Sequence, residues 1–495
     1  MTLNFYWLLT GIGLYLGSLL LLLWWTKGDE SSGDHSHGED FFLGRRGRQG
    51  LHPLLLLVSY AATVYSAFTL IGMPGFIYRH GVGAFGAIVI SQLLQVACIL
   101  FFGMALWRRA QEFPGATSPI EIVSHSYRSP RLGLFVFTAT VLFVIPHLTL
   151  QLVGIGRLIE GVTDGRVGYI QSVGVILFVM MLYSELGGFR GIVWTDVTQF
   201  ILSVCGMAVL AWLFVDRVWD GDLFQLADRL TEQGNESLLS TPGPEGFYTT
   251  PMLFSLCVFY GLWPIAHPSS AVRFLAQTSP RGFLWMVGGM AFLPVIMYLP
   301  ALVIGLGGAA AHPGLGQLHE TIAGQVVVDV VSTGGSFAAV FGFFYILGSL
   351  SASMSTCDSQ ALAMGQIVSR DLVKGVLVPQ ISARNELRTA RLAILFVFLV
   401  SFALGLNKDS FILKLSVLSG SGTAVLVPTY LGIRFQRPHK WAAFASMICG
   451  YTVFILGETW LAGQTIGGFH PALLAVGTSA LVFLILSFLL NRKIS

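Results

Sequence analysis

Gly348 to Asp371 reads GSLSASMSTCDSQALAMGQIVSRD. It lies in an apolar segment, expected at 335–366, that is long enough to cross a bilayer. Yet it carries Ser349, Ser351, Ser353, Ser355, Thr356, Asp358 and Ser359. At about 100° per residue, Ser355, Thr356 and Ser359 share one helical face, with Asp358 at its edge. Hydroxyls and a carboxylate at membrane depth must face a cavity, a partner or an ion. Such oxygens are the preferred ligands of hard cations. The competing reading is close helix packing, with each hydroxyl bonded back to the preceding turn. One serine alone would favour packing; the cluster with its aspartate points to a cation site.

Composition sets the frame. Of 495 residues, 54% are hydrophobic and only 11% charged, which describes a polytopic all-α membrane protein and not a soluble enzyme. The net charge of +3 is spread over short loops, so no nucleic-acid partner is expected. The five cysteines (Cys98, Cys205, Cys257, Cys357 and Cys449) fall in apolar segments with no metal-site spacing, so no disulfide framework is expected. No zinc-protease motif, phosphate loop or nucleophile elbow occurs, so neither catalytic residues nor an organic cofactor are expected. The first apolar run, Leu3 to Trp25, reads as a retained span and not a cleaved leader.

Apolar runs of roughly 20 residues suggest about thirteen spans. With the N-terminus outside and the C-terminus inside, 21 of the 28 Lys and Arg fall in inner segments, Arg273 counted among them. The first inner loop begins GDESSGDHSHGED; His35 and His37 with Asp34, Glu39 and Asp40 have metal-ligating chemistry, but a solvated loop is the expectation.

Two spans are interrupted. The second, YAATVYSAFTLIGMPGFIYRHG, contains Gly72, Pro74 and Gly75; the seventh, SLCVFYGLWPIAHPSSAVRF, contains Gly261, Pro264 and Pro268. Paired Gly/Pro-interrupted segments at corresponding positions of two halves mark the binding region of secondary transporters. Five spans separate them, an odd number, so the second half is inverted. The expected division is 1–51 (first span and loop), 52–216 (first repeat), 217–249 (outer loop, a lid or a connector), 250–433 (second repeat) and 434–495 (two terminal spans).

Other polar and aromatic residues at membrane depth are candidates for a solute cavity or its gates: Ser66, Phe68, Gln92, His147, Gln151, Tyr260, Trp263, His267 and Ser419. His147 and His267 could move protons or make helix-to-helix hydrogen bonds. Tyr260 and Trp263 could stack on a ligand or simply pack. Ser419 belongs to LSGSGT, a run suited to a gate or to close helix contact. Asp196 reads equally as an interfacial charge or as part of a cation path.

At four motifs the chain resembles the sodium/solute symporter family: DFFLGRR at 40–46, the Ser66 to Gly75 run ending GMPG, GGFRGIVWTDVTQ at 187–199, and SMSTCDSQALAMGQIVSRDL at 353–372. The resemblance implies a LeuT-type inverted repeat of five plus five helices with flanking spans. It also implies sodium-coupled import of a small solute across the cell membrane, with a monomer as the functional unit. Sodium would bind the backbone of Ala62, Tyr65 and Ala352 and the hydroxyls of Ser355 and Thr356. A second cation, or a path for its exit, would involve Asp196, Asp358 and Ser359. Proline symporters carry an acid where Val64 stands, which argues against a proline-type site. The segments PIAHPSSAVR, TLQLVGIGRLIEG and GGFHP are more similar to pantothenate and monocarboxylate symporters. Coupling to protons through Asp196, Asp358 or His147 is the alternative on this scaffold, and a transporter-like sensor is another.

Overall fold

A computed structural model describes residues 5–26, 41–44, 50–163, 165–184, 188–407, 412–434, 438–460 and 464–491. His35, His37 and their acidic neighbours lie outside the described residues. Helix α1 (Phe5–Thr26) precedes a broken segment made of α2 (Pro53–Val64) and α3 (Met73–His80), linked through a π-helical turn at Phe68–Gly72. Helix α4 (Val82–Cys98) runs through a second π turn into α5 (Met104–Ala110). Then come α6 (Pro119–Ser126), α7 (Pro130–Val162), α8 (Tyr169–Ser184) and α9 (Gly188–Val218). The connecting helix α10 (Leu223–Glu232) leads to a second broken segment, α11 (Thr250–Ala266) and α12 (Pro268–Ala276). The chain continues as α13 (Pro280–Gly289), α14 (Leu293–Ala311), α15 (Ile322–Ile367) and α16 (Ala383–Gly405). It finishes as α17 (Ile412–Ala424), α18 (Val427–Leu431), α19 (Lys440–Trp460) and α20 (Pro471–Asn491).

Local chemistry explains many of these starts. Proline occupies the first turn of α2, α6, α7, α11, α12 and α13, where its missing N–H is not needed. Ser118, Ser129, Thr249, Ser279 and Ser382 cap helices with their hydroxyls, and Glu121 completes a capping box with Ser118. Among the described residues, nine helices are long and apolar enough to cross a membrane, or up to 10 if the bent α2–α3 pair is one span. Shorter apolar helices are Thr10–Trp25, Tyr169–Met181 and Thr250–Ala266. Leu142, Phe178, Ile201 and Phe254 are exposed large apolar residues on such helices, as expected of lipid-facing positions.

The most extensive helix pairing is α9 against α15. Small residues allow it. A Cβ on Gly206 would stand 2.7 Å from the Phe344 carbonyl oxygen, and one on Gly348 would stand 2.7 Å from that of Leu202. Ser203 Oγ donates to the Gly348 carbonyl at 2.9 Å, tying the same surfaces. Helix α1 joins the bundle through Ser351 Oγ, which donates to the Tyr15 hydroxyl at 2.7 Å.

The first break does not fall where the Gly72, Pro74 and Gly75 punctuation suggested. The chain leaves the helix at Tyr65 (φ −87, ψ 95), and the two halves meet at 53°. Pro74 sits in the first turn of α3, where it breaks nothing. The glycines serve close approach instead: a Cβ on Gly75 would lie 2.8 Å from Glu320 Cα and from the His319 carbonyl oxygen. The second break is at His267 (φ −81, ψ 123), immediately before Pro268, while Pro264 lies inside α11 and Gly261 packs against Leu94. Helix α15 turns sharply at Gly335 (φ 66, ψ −153), a conformation that favours glycine. The loop over 217–249 is packed down: Phe247 and Tyr248 surround Phe76 and His80, with ring centroids 4.2–6.3 Å apart.

Candidate functional site

The first break separates backbone groups that an unbroken helix would pair. The amide of Ala67 donates to Gln151 Oε1 at 3.0 Å, and the amide of Phe68 to Ser66 Oγ at 3.2 Å. The carbonyls on the other side are met by α15. Ser355 Oγ donates to the Ala62 carbonyl at 2.8 Å and Thr356 Oγ1 to that of Thr63 at 3.1 Å. The same hydroxyls contact the Ala352 carbonyl at 3.1 and 3.0 Å. Five oxygens of uncharged groups therefore converge, all on buried residues. That donor set suits a monovalent hard cation, because the hydroxyl hydrogens can rotate away and leave lone pairs facing it. Ala62, Ala352, Ser355 and Thr356 come together as expected. The second carbonyl receiving an α15 hydroxyl is that of Thr63, whereas Tyr65 contributes its phenol to Gln92 Oε1 at 2.8 Å.

Next to this cluster lies a charge. Arg273, which the sequence assigns to an inner segment, is fully buried. Its Nη2 donates to Asp196 Oδ2 at 3.0 Å and to Ser359 Oγ at 2.6 Å. Its Nε donates to Ser59 Oγ at 3.0 Å, and its Nη1 to the Ser269 carbonyl at 3.0 Å. Ser59 Oγ donates to Asp196 Oδ2 at 2.5 Å, and Thr63 Oγ1 to Ser359 Oγ at 3.0 Å. Asp196 and Ser359, both expected near a second cation, thus hold a guanidinium supplied by α12. None of the Asp196 side chain is exposed. Ser59, Thr63 and Arg273 were the missed residues. The available signal was Arg273 inside an apolar run five residues after a Pro, where a lone cation demands a partner.

Residues 41–450 match the model of the sodium:solute symporter family. The chain belongs to that family. Family membership makes it a sodium-coupled transporter of a small solute, not an enzyme, and an integral multi-pass protein of the plasma membrane. The symporter is 24% identical over 464 residues to the sodium/pantothenate symporter of Haemophilus influenzae, spanning 92% of this chain and 90% of that one. It is 25% identical over 463 residues to the high-affinity proline transporter PutP of Bacillus subtilis, spanning 88% and 91%. Its fold is shared with a Na+-coupled sialic acid symporter solved in a substrate-bound outward-open state: TM-score 0.77 at 17% identity, over 99% of this chain and 98% of that one.

The symporter's remaining candidates surround the two breaks. Gln92 Nε2 also donates to the Tyr298 hydroxyl at 3.1 Å. Phe68 stacks on Tyr260 with centroids 6.3 Å apart, and the Tyr260 hydroxyl lies 3.4 Å from Ser416 Oγ. Phe68, Met73, Phe76, Ala84, Ala87, Ile88, Leu256 and Tyr260 line an apolar recess. His147 stacks on Trp263 (5.5 Å, 24°), and His267 meets the edge of the same ring (4.7 Å, 82°). Ser419 is fully buried in α17, and the glycines beside it serve close packing, since a Cβ on Gly422 would overlap Phe143 at 2.0 Å. Asp358 is fully buried on α15. An ion pair of partly buried Arg157 with buried Glu320, which also accepts the Ile412 amide at 3.3 Å, ties α7 to the segment before α15.

Proposed function

We propose that this symporter imports a small carboxylate-bearing solute together with sodium, by alternating access between two five-helix repeats at 52–216 and 250–433. The chain crosses the membrane thirteen times, N-terminus outside and C-terminus inside, with a monomer as the transport unit; the distribution of Lys and Arg supports this orientation. One observation carries the reading: hydroxyls of α15 lie 2.8 and 3.1 Å from the Ala62 and Thr63 carbonyls at the first break. Sodium binding there ties the broken helix to α15 and favours the state that accepts solute. Tyr65 offers its carbonyl as the break opens. The coupling is thermodynamically sufficient: one charge moving down 100 mV releases about 2.3 kcal/mol before any concentration gradient. Coupling requires only that sodium bind one state better than the other.

A carboxylate is the group common to pantothenate, proline and sialic acid, the solutes named for the similar proteins. The test is uptake in proteoliposomes with and without an inward sodium gradient, using pantothenate, short monocarboxylates, amino acids and a sugar. Sodium-driven accumulation of a carboxylate is expected, and the double variant Ser355→Ala, Thr356→Ala abolishes it. Uptake that follows a pH gradient without sodium overturns the reading in favour of proton coupling.

A further inference from the structure

A carboxylate carried through the bundle needs donors, and the fully buried guanidinium of Arg273 already holds Asp196, as the partly buried Arg157 holds Glu320. The donors lie elsewhere. His267 stands at the second break as the residue before α12, with none of its surface exposed. Its Nδ1 is 2.9 Å from Ser269 Oγ, and among the described residues its Nε2 meets no hydrogen-bond partner. His147, 8% exposed on α7, also has an unpartnered Nε2. The two rings are 5.6 Å apart and share Trp263. The group also reaches the other break: Gln151 Nε2 donates to the His147 carbonyl at 3.3 Å while its Oε1 holds the Ala67 amide.

Two buried ring nitrogens that meet no partner among the described residues, on rings 5.6 Å apart, call for a hydrogen-bond partner from outside the chain. With the Ser269 hydroxyl donating to Nδ1, the His267 proton sits on Nε2 and faces outward from the ring. The start of α12 adds its positive dipole end in the same region. We propose that His147 Nε2 and His267 Nε2 form the subsite for the solute's carboxylate, with Trp263 as its flat wall. The named groups are two N–H donors and an apolar ring with no acid among them, so the ligand class is an apolar monocarboxylate and not a zwitterion. This inference rests on the proposed symport function.

The test uses the purified full-length protein in saturating sodium. Propionate, butyrate and pyruvate are compared with their amides and with alanine, by thermal shift and tryptophan fluorescence. At least one carboxylate is expected to bind, with its amide weaker by roughly ten- to hundredfold, the loss expected for one hydrogen bond to a charged group. His147→Phe and His267→Phe keep the ring stacking and remove the donors; each is expected to weaken that carboxylate by a similar factor while stabilisation by sodium alone persists. Equal binding of acid and amide, preference for alanine, no binding of any carboxylate, or unchanged affinity in both Phe variants overturns the subsite. If the variants fold poorly, the acid–amide comparison on the unaltered protein decides. Carboxylate binding that persists where sodium has no effect supports the subsite and instead refutes sodium coupling.

Discussion

Replacing Arg273 by methionine keeps an unbranched apolar stem, shorter by two atoms, and removes the charge. Four groups lose a donor: Asp196 Oδ2, Ser359 Oγ, Ser59 Oγ and the Ser269 carbonyl. The Asp196 carboxylate then stays fully buried, with Ser59 Oγ still donating to it among the described residues. Removing one member of a buried ion pair costs about 3–5 kcal/mol, because the other charge is left uncompensated. Neither side chain reaches solvent, so no screening reduces that figure. The second change, Asp196→Asn, removes the stranded charge. Arg273→Met with Asp196→Asn is therefore expected to be more stable than Arg273→Met alone, with a coupling of about 0.5–3 kcal/mol between sites in contact. The assay is thermal inactivation of detergent-solubilised protein, read as half-lives because large membrane proteins often unfold irreversibly. Sodium gives a second readout. Without the guanidinium, Asp196 and the hydroxyls of Ser59 and Ser359 form an oxygen cluster open to a cation. Sodium is thus expected to stabilise Arg273→Met by more than it stabilises the unaltered protein, by mass action on the added site. An Arg273→Met protein as stable as the original, or a double variant no more stable than the single, would refute the claim that Arg273 and Asp196 are an energetically coupled buried pair.

Three other perturbations test the breaks and their surroundings. Gln151→Leu leaves the Ala67 amide without its acceptor at the first break and should cost about 1–3 kcal/mol, measured by thermal inactivation; an unchanged half-life would show that the cap is dispensable. Gly75→Ala places a Cβ against the backbone of His319 and Glu320, which cannot rotate away, so a loss of about 1–3 kcal/mol and slower uptake are expected, while full activity would mean that α3 shifts freely. Burial lowers the pKa of His319 below the ordinary histidine value, partly offset by the Gly316 carbonyl and Glu320. Its neutral form is favoured in the fold, so this contribution is complete above the unfolded value of about 6.5 and is lost as pH falls through the lower folded one. Acidification should therefore destabilise the protein less steeply in His319→Gln, and identical pH slopes would sink the assignment.

The sequence alone determined the class, because bilayer thickness and the cost of unpaired backbone in lipid leave so few options for a chain this apolar. It also determined the hydroxyl face: Ser355 and Thr356 are adjacent on one helix, and helical geometry needs no partner to put them together. The oxygens they meet were expected from a motif, and Thr63 entered only through folding, since the helix leaves its path at Tyr65 and not at the conspicuous Gly-Met-Pro-Gly. Glycine and proline are ambiguous in sequence; Pro74 sits harmlessly in a first turn, and Gly75 exists for the backbone of His319 and Glu320. Arg273 shows the same limit. A basic residue near the end of an apolar run has the composition of a loop flank, and only the packing of α12 against α2, α9 and α15 turns it into the counter-charge of Asp196. Those contacts join residues 77 to 214 positions apart along the chain, and no local pattern encodes such a distance. Local periodicity settled which residues share a face, while tertiary packing decided which charge each face would meet.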